Sequence, residues 1–95
     1  MEDRREFEDR RIGPVILRDE LEYFRELRLL EPVRVTLSAR EIAEDGRFVL
    51  INEFFRQDGT RCARVTSNGA WLDLDRRKIT PPPDELRRLL EQLLP

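Results

Sequence analysis

The residues of this chain that can do chemistry are carboxylates and guanidinium groups. Its 95 residues include no histidine, and Cys62 is the single cysteine. Without histidine the usual Ser/His and Cys/His nucleophile pairs and most zinc sites are excluded, and one cysteine cannot form an internal disulfide. Any catalysis must therefore rest on an aspartate or a glutamate, and we predict neither a metal site nor a cofactor.

Asp19 is the carboxylate in the most unusual setting. If the segment around it is extended, Val15, Leu17, Leu21 and Tyr23 line one face at period two, and Asp19 interrupts that face. An acid on a buried face is costly unless it is paired or hydrated. We therefore take Asp19 as a candidate for lining a ligand groove. The alternative is a salt bridge to an arginine, or exposure near a bend.

The secondary structure of Val15 to Leu30 decides how Asp19 is presented. The alternation just described favours a strand, whereas Leu17, Leu21, Phe24 and Arg28 give a weaker helical stripe in a stretch rich in helix formers. Propensity thus favours a helix and pattern favours a strand. We predict a strand.

Two Asp-Gly pairs organise the middle of the chain. Asp45-Gly46 and Asp58-Gly59 separate three runs of strand-forming residues, a strong hairpin signal in which both residues tolerate the positive φ of a type I′ turn. The sequence therefore predicts a three-stranded antiparallel meander. Its first strand alternates from Val33 to Ala39, its central strand is apolar on both faces, and its third runs from Arg61 to Asp75. Asn68-Gly69 interrupts the third strand, and we expect a bulge there rather than a turn.

The two ends of the chain differ in character. Residues 2–11 are charged except for Phe7, which is typical of a solvated helix face or a frayed terminus, and Gly13-Pro14 would end such a helix. At the other end, Asp84 can cap a helix after three prolines. Leucines follow at helical spacing and predict an amphipathic helix that packs on an edge or end of the sheet: Leu86, Leu89, Leu90 and Leu93.

Composition limits the possible partners and locations. The net charge of −2 argues against simple electrostatic capture of nucleic acid. No apolar stretch approaches the roughly 20 residues of a membrane span, and the N-terminus is charged where a signal peptide would be apolar. We therefore expect a single cytoplasmic domain over residues 1–95, with no membrane or nucleic-acid partner.

The second half of the chain resembles hotdog-fold acyl-CoA thioesterases of the hydroxybenzoyl-CoA thioesterase type. The resemblance rests on Asp58-Gly59, Cys62-Ala63-Arg64-Val65, Ala70 to Asp75, Arg77-Lys78 and Pro82 to Leu86. Upstream it continues through Gly13-Pro14-Val15-Ile16, Tyr23 to Leu27, and Val33-Arg34-Val35. The order and spacing of these segments carry the likeness, and they imply an α+β fold in which a hotdog-like antiparallel sheet ends in a C-terminal helix.

The N-terminal region departs from that family. Its members begin with a strand, an Asp-bearing loop and a long central helix, and their catalytic carboxylate lies in that loop or early in that helix. Residues 1–4 resemble only the later part of the helix, so we expect an N-terminally truncated hotdog domain with a short N-terminal helix remnant. By this alignment the family's catalytic carboxylate has no counterpart here.

The resemblance implies hydrolysis of an acyl-CoA to a free acid and CoA, and assembly into a dimer or tetramer. Arg64 and Asn68 share one face of the third meander strand with Thr66, and the basic run 76–78 follows it. In a family whose substrate carries phosphates, such groups can hold coenzyme A, although solvated surface charge is the alternative. Because the catalytic region is missing, the competing interpretation is a non-catalytic binding or assembly subunit that uses the sheet for oligomerisation.

Overall fold

The computed structural model describes residues 11–95, which form an antiparallel sheet and one helix. The strands are β1 (Ile12–Tyr23), β2 (Val33–Ile42), β3 (Arg47–Arg56), β4 (Arg61–Asp73) and β5 (Lys78–Ile79), and the helix is α1 (Asp84–Glu91). The main strands lie in the order β1-β4-β3-β2, and β5 pairs with β4. The α+β class, the meander and the C-terminal helix are thus as predicted. The expected N-terminal helix remnant lies outside the described residues.

The strand prediction for Val15 to Leu30 is correct only as far as Tyr23. Residues 24–32 form an irregular connection in which neither strand nor helix continues. Within it the Glu31 N–H donates to the Arg28 carbonyl at 3.2 Å, which closes a turn, and Leu30 has a φ of 63°. The helix propensity of this segment is therefore not realised: the residues up to Tyr23 belong to a strand, and those after it form an irregular connection.

The two Asp-Gly hairpins form, but their turns are not type I′. Gly46 and Gly59 have φ values of 109° and 89°, whereas neither preceding aspartate has a positive φ. Instead each aspartate Oδ1 accepts a hydrogen bond from the backbone N–H two residues later, at 3.0 Å from Arg47 and 2.9 Å from Thr60. The aspartate side chain thus organises the turn, and only glycine takes the left-handed conformation.

Strand β4 runs unbroken through Asn68-Gly69, and the extra residue lies in the neighbouring strand. Ile16 pairs with Gly69 and Arg18 with Asn68, so Leu17 of β1 is the bulged residue. A Cβ atom on Gly69 would lie 2.5 Å from the Phe48 ring and 2.8 Å from the Val15 carbonyl oxygen. Glycine is therefore required here by close packing rather than by a break in β4.

A small core sits at one end of the sheet, where α1 packs. Its buried centre consists of Phe48, Trp71 and Leu86. The ring centroids of Phe48 and Trp71 are 6.1 Å apart. In the leucine series, Leu86 is buried, Leu90 and Leu93 are half-buried, and Leu89 is 57% exposed. Pro83, not Asp84, is the N-cap, so the predicted side-chain cap is wrong. Asp84 lies in the first turn, where its negative charge interacts favourably with the helix dipole.

The same face of the sheet is open at its other end. Cross-strand pairs place Leu21, Val65, Asn52 and Leu37 in one row, and Tyr23, Ala63, Phe54 and Val35 in the next. We call this surface, together with Ile16, the open apolar face. At least half of the surface is exposed for Ile16, Leu21, Tyr23, Val35 and Leu37. In β3, Phe48 is buried and every later residue of the strand is half-buried.

Candidate functional site

Asp19 lies on the open apolar face, as the direct cross-strand partner of Ser67. The bulge at Leu17 changes its neighbours from those predicted. Val15 pairs with Ala70 and so lies on the opposite face, whereas Ile16 joins Asp19 and Leu21. Asp19 is exposed and makes no hydrogen bond or ion pair with the part of the chain that the structure describes. It is therefore hydrated rather than buried, which accounts for a carboxylate among apolar neighbours.

Arg64, Thr66 and Asn68 share the opposite face of β4, as predicted, and we call this the outer face. Their partners on β1 are Glu22, Glu20 and Arg18. Thr66 is buried, and Arg64 and Asn68 are half-buried. Asp19 and the Arg64/Asn68 pair therefore lie on opposite faces of one sheet, and a single protomer does not bring them together on one surface.

Arg64 belongs to a cluster of charges around the Phe24 ring. Its Nε and Nη2 both donate to Glu22 Oε1, at 3.1 and 2.9 Å. Arg61 lies over the same ring, 4.3 Å from the centroid, and its Nη1 donates to Glu53 Oε2 at 2.8 Å. The Arg64 guanidinium is 5.7 Å from that centroid. Each arginine is thus held by a carboxylate and by an aromatic face.

Sequence reasoning missed this cluster because its members come from three strands and a loop. The available signal was the period-two position of Glu22, which places it on a face opposite to Leu21 and Tyr23. Its partner depends on the β1-β4 register, and that register follows from the bulge at Leu17. The sequence pattern alone specifies neither the bulge nor the register.

The basic run 76–78 lies in an exposed turn that Asp73 organises. Asp73 Oδ1 accepts hydrogen bonds from the backbone N–H groups of Asp75 and Arg76, both at 3.0 Å. The Arg76 N–H is the main cause of a lowered pKa of Asp73. Asp75 pairs with Arg11, with Nε and Oδ1 3.1 Å apart. The guanidinium groups of this run are therefore presented to solvent beside the outer end of β4.

A shallow cavity of about 290 Å³ lies at the start of β2, away from all three predicted site residues. It is lined by Pro32, Val33, Arg34, Arg56 and Gln57. Cross-strand pairing places Arg34 with Phe55 on one face and Arg56 with Val33 on the other, so the two arginines lie on opposite faces. Among the described residues there is also no cluster of acidic or cysteine side chains that could hold a metal ion.

Comparison with known proteins identifies the family. The profile of the Thioesterase-like superfamily matches residues 1–90. The chain belongs to this superfamily. No curated protein matches the sequence. None of the helices in residues 11–95 is long and apolar enough to cross a membrane.

Solved structures of other proteins share the fold, and two of the three described below are named as a thioesterase or a probable thioesterase. SAV2348 from Staphylococcus aureus, solved in complex with CoA, superposes with a TM-score of 0.82 at 19% identity, over 96% of this chain and 59% of that one. The probable thioesterase YbaW from Escherichia coli gives 0.79 at 20% identity, over 94% and 67%. The gentisyl-coenzyme A thioesterase BH1999 gives 0.73 at 24% identity, over 93% and 67%. This superfamily member thus has the antiparallel sheet and helix of those proteins and spans about three fifths to two thirds of their length.

Proposed function

We propose that this chain binds an acyl-CoA thioester and takes part in its hydrolysis to a free acid and CoA. The observation that carries the proposal is the match of the Thioesterase-like superfamily to residues 1–90. The neighbour SAV2348 in complex with CoA supports the ligand class. The acyl group and the hydroxybenzoyl-CoA type of chemistry are finer assignments that belong to this proposal, as does the cytoplasmic location expected from the sequence.

Asp19 is the carboxylate that we assign to the reaction. It stands among apolar side chains that suit an acyl group, and no ion pair within residues 11–95 occupies it. In the proposed step the Asp19 carboxylate accepts a proton from a water molecule. The water oxygen forms a bond to the thioester carbon, the carbon–sulfur bond breaks, and the CoA sulfur leaves and takes up a proton.

The outer face is the proposed binding surface for the phosphates of CoA. Arg64 and Asn68 point to this face, and the exposed basic run 76–78 follows β4. Glu22 already accepts two hydrogen bonds from Arg64, so a phosphate has to compete with it or use the Nη1 group, which has no partner within residues 11–95. Because Asp19 lies on the other face, one ligand reaches both surfaces only by crossing the edge of the sheet at β1.

Turnover by the purified chain tests the proposal. Release of CoA from aromatic and aliphatic acyl-CoAs is followed with a thiol reagent, to which Cys62, fully buried, contributes no background. We expect Asp19→Asn to lower kcat at least about 100-fold, in the range of general-base catalysis. Glu20→Gln is the matched control, because it removes a neighbouring carboxylate from the opposite face, and it should stay within about twofold of wild type. Equal turnover in both variants would remove Asp19 from the mechanism.

A non-catalytic binding or assembly subunit is the second candidate, and the open apolar face favours it. The open apolar face adjoins a core whose buried centre has three residues. An exposed apolar surface of this kind is typical of a site that another protein surface covers. This candidate includes homo-oligomerisation as a dimer or tetramer. Sedimentation and CoA titration distinguish the two: a stable oligomer that binds CoA without turnover supports the assembly subunit, whereas turnover supports hydrolysis.

A further inference from the structure

The outer edge of β2 carries a row of backbone groups that point away from the sheet. The Ala39 N–H is directed away from β3, because it donates to the Leu93 carbonyl at 2.9 Å. Strands β2 and β3 pair without a shift from Val33 to Ala39, and backbone groups of alternate residues point to the same side of a strand. The N–H and C=O groups of Val33, Val35 and Leu37 therefore point outwards too, and they have no hydrogen-bond partner within residues 11–95.

This row is closed at both ends, so it fits only a short strand. At one end β2 begins after Pro32, and the Glu31 N–H already donates to the Arg28 carbonyl at 3.2 Å. At the other end Leu93 occupies the Ala39 N–H. The outward-pointing residues between these contacts match about five residues of an extended partner. An exposed row of this kind is a template for an added β-strand.

The cavity of about 290 Å³ lies at the Val33 end of the row and is lined by two cations. Arg34 and Arg56 approach it from the two sides of the sheet. The Arg34 guanidinium lies over the Phe55 ring, 4.5 Å from its centroid. Arg56 Nε is buried without a hydrogen-bond partner. Neither guanidinium forms an ion pair within residues 11–95, so both can bind an anion.

Two carboxylates at the same end of the sheet do not neutralise these arginines. Asp58 Oδ1 accepts a hydrogen bond from the Thr60 backbone N–H at 2.9 Å, which holds it in the turn between β3 and β4. Glu31 does not line the cavity, and its Oε2 is buried without a hydrogen-bond partner. The two guanidinium groups therefore remain available to a ligand carboxylate.

We propose that the outer edge of β2 binds the C-terminal segment of a partner protein, as an added antiparallel strand whose terminal carboxylate lies in the cavity. The antiparallel direction follows from the charges, because it brings the C-terminus of the added strand to Arg34 and Arg56. One carboxylate oxygen then accepts a hydrogen bond from the Val33 N–H, and the other faces the guanidinium groups. A parallel strand would bring its N-terminal end to the same two cations.

The side chains along the edge define which C-terminal sequence fits. Directly opposed residues of two strands share a face of the sheet. Val33, Val35 and Leu37 lie on one side and are 39%, 51% and 50% exposed, so they favour apolar residues at the partner's last, third-last and fifth-last positions. Arg34 lies on the other side and favours an acidic residue at the second-last position. The partner thus ends in alternating apolar residues with an acid before the last one.

Peptide binding to the full chain tests the proposal. The probe is a fluorescein-labelled peptide that ends in Val-Thr-Val-Glu-Val with a free carboxylate, and fluorescence anisotropy measures its dissociation constant. We expect saturable binding with a dissociation constant below about 1 mM. Amidation of the C-terminus should raise this constant at least about tenfold, because it removes the charge that the arginines bind. Equal binding of the amidated peptide would assign the edge to an internal strand and overturn the carboxylate site.

N-methylated peptides test the strand pairing without changing the protein. In the proposed register the N–H groups of the last, third-last and fifth-last residues face β2, and those of the residues between them face away. N-methylation of the third-last valine should therefore weaken binding at least about fivefold. N-methylation of the threonine is the matched control and should leave binding within about twofold. Equal effects of the two modifications would overturn the added strand and leave a carboxylate ligand alone.

Variants of the two arginines test the cavity. Arg34→Gln and Arg56→Gln should each raise the dissociation constant of the free-acid peptide at least about fivefold, at unchanged circular dichroism. Arg40→Gln is the matched control, because Arg40 is exposed at the other end of β2, and it should stay within about twofold of wild type. Unchanged binding in both cavity variants would overturn the carboxylate site. If a variant does not fold, the peptide pairs still decide the question.

Sedimentation with and without the peptide identifies the remaining possible occupant. A peptide that binds only by dissociating an oligomer would assign the edge to a second copy of the chain and overturn the proposal. Absence of saturation up to about 1 mM peptide would overturn it as well. The inference goes beyond the proposed function, and none of these measurements depends on thioester turnover.

Discussion

Arg64 of β4 and Glu22 of β1 are direct cross-strand partners, and two guanidinium nitrogens of Arg64 donate to one oxygen of Glu22, at 3.1 and 2.9 Å. The Phe24 ring lies two residues further along the chain, with its centroid 4.3 Å from the Arg61 guanidinium carbon and 5.7 Å from that of Arg64. The contact lies one residue before the end of β1, where the irregular connection 24–32 begins. It also ties a proposed phosphate-binding residue to the stability of the sheet.

The first prediction concerns the coupling between these two side chains. A double-mutant cycle with Arg64→Gln and Glu22→Gln should give a coupling energy of about 0.5–1 kcal/mol, because the pair is partly exposed and screened. Urea unfolding measures it. The matched control is the cycle of Arg18→Gln with Glu20→Gln, whose side chains are 71% and 49% exposed against 28% and 43% for Arg64 and Glu22.

The control pair should couple by no more than about 0.3 kcal/mol in a chain kept below the concentration at which it associates. Coupling of equal size in both cycles would mean that burial near Phe24 adds nothing to the Arg64–Glu22 contact. Titration of CoA against Arg64→Gln then separates the roles: loss of affinity at unchanged fold supports phosphate binding.

The second prediction concerns Gly69, which the Phe48 ring covers. A methyl group there would lie 2.5 Å from ring carbons and 2.8 Å from the Val15 carbonyl oxygen, so either the core or β1 must move. We expect Gly69→Ala to lower the free energy of unfolding by about 2–3 kcal/mol, as overpacking does. Gly13→Ala is the control, because its new methyl group would lie 3.9 Å from Leu74. Gly13→Ala should change stability by less than about 0.5 kcal/mol, and equal effects would contradict the packing argument.

The sequence specifies the meander well because its signals are local. Each Asp-Gly pair determines a turn within four residues, and the alternation from Val33 to Ala39 needs no knowledge of the partner strand. The predicted type I′ turn is wrong because the aspartate side chains accept backbone hydrogen bonds, at 3.0 Å from Arg47 and 2.9 Å from Thr60. The Asp-Gly dipeptide alone does not distinguish these two kinds of turn.

The candidate site was harder to predict because it depends on relationships between strands. A single extra residue, Leu17, reverses the face of everything before it, so the alternation predicts Val15 beside Asp19 although Val15 lies on the other side of the sheet. The grouping of Arg64 with Asn68 was correct because it lies within one unbroken strand. That Asp19 and Arg64 occupy opposite faces follows only from the β1-β4 register.

The third prediction concerns Leu30, which is strained. Its φ of 63° is in the left-handed region. The residue is 94% exposed, so packing contacts do not offset the conformational strain. Leu30→Gly should raise the free energy of unfolding by about 0.5–1 kcal/mol. Leu29→Gly is the matched control, since Leu29 is 91% exposed but does not have a positive φ, and it should lower stability by a similar amount. A loss of stability in Leu30→Gly would contradict the assignment of strain to this turn.

The fourth prediction concerns two aspartates that hold turns in their ionised form. Hydrogen bonds from Thr60, first its side chain and then its backbone, lower the pKa of Asp58 below the ordinary value of 3.8. The Arg76 backbone N–H does the same for the pKa of Asp73. A carboxyl whose pKa is lower in the folded state stabilises that state above its unfolded pKa. That contribution is lost as pH falls through the folded value.

We therefore expect the urea midpoint of the wild type to fall as pH is lowered from 5 towards 2, with part of the fall caused by these two groups. The double variant Asp58→Asn, Asp73→Asn keeps acceptor oxygens in both turns but cannot ionise there. Its midpoint should lie below that of the wild type at pH 5, and the two curves should converge towards pH 2. Parallel curves over this range would mean that Asp58 and Asp73 titrate alike in the folded and unfolded chain, and that their hydrogen bonds to Thr60 and Arg76 do not favour the ionised form.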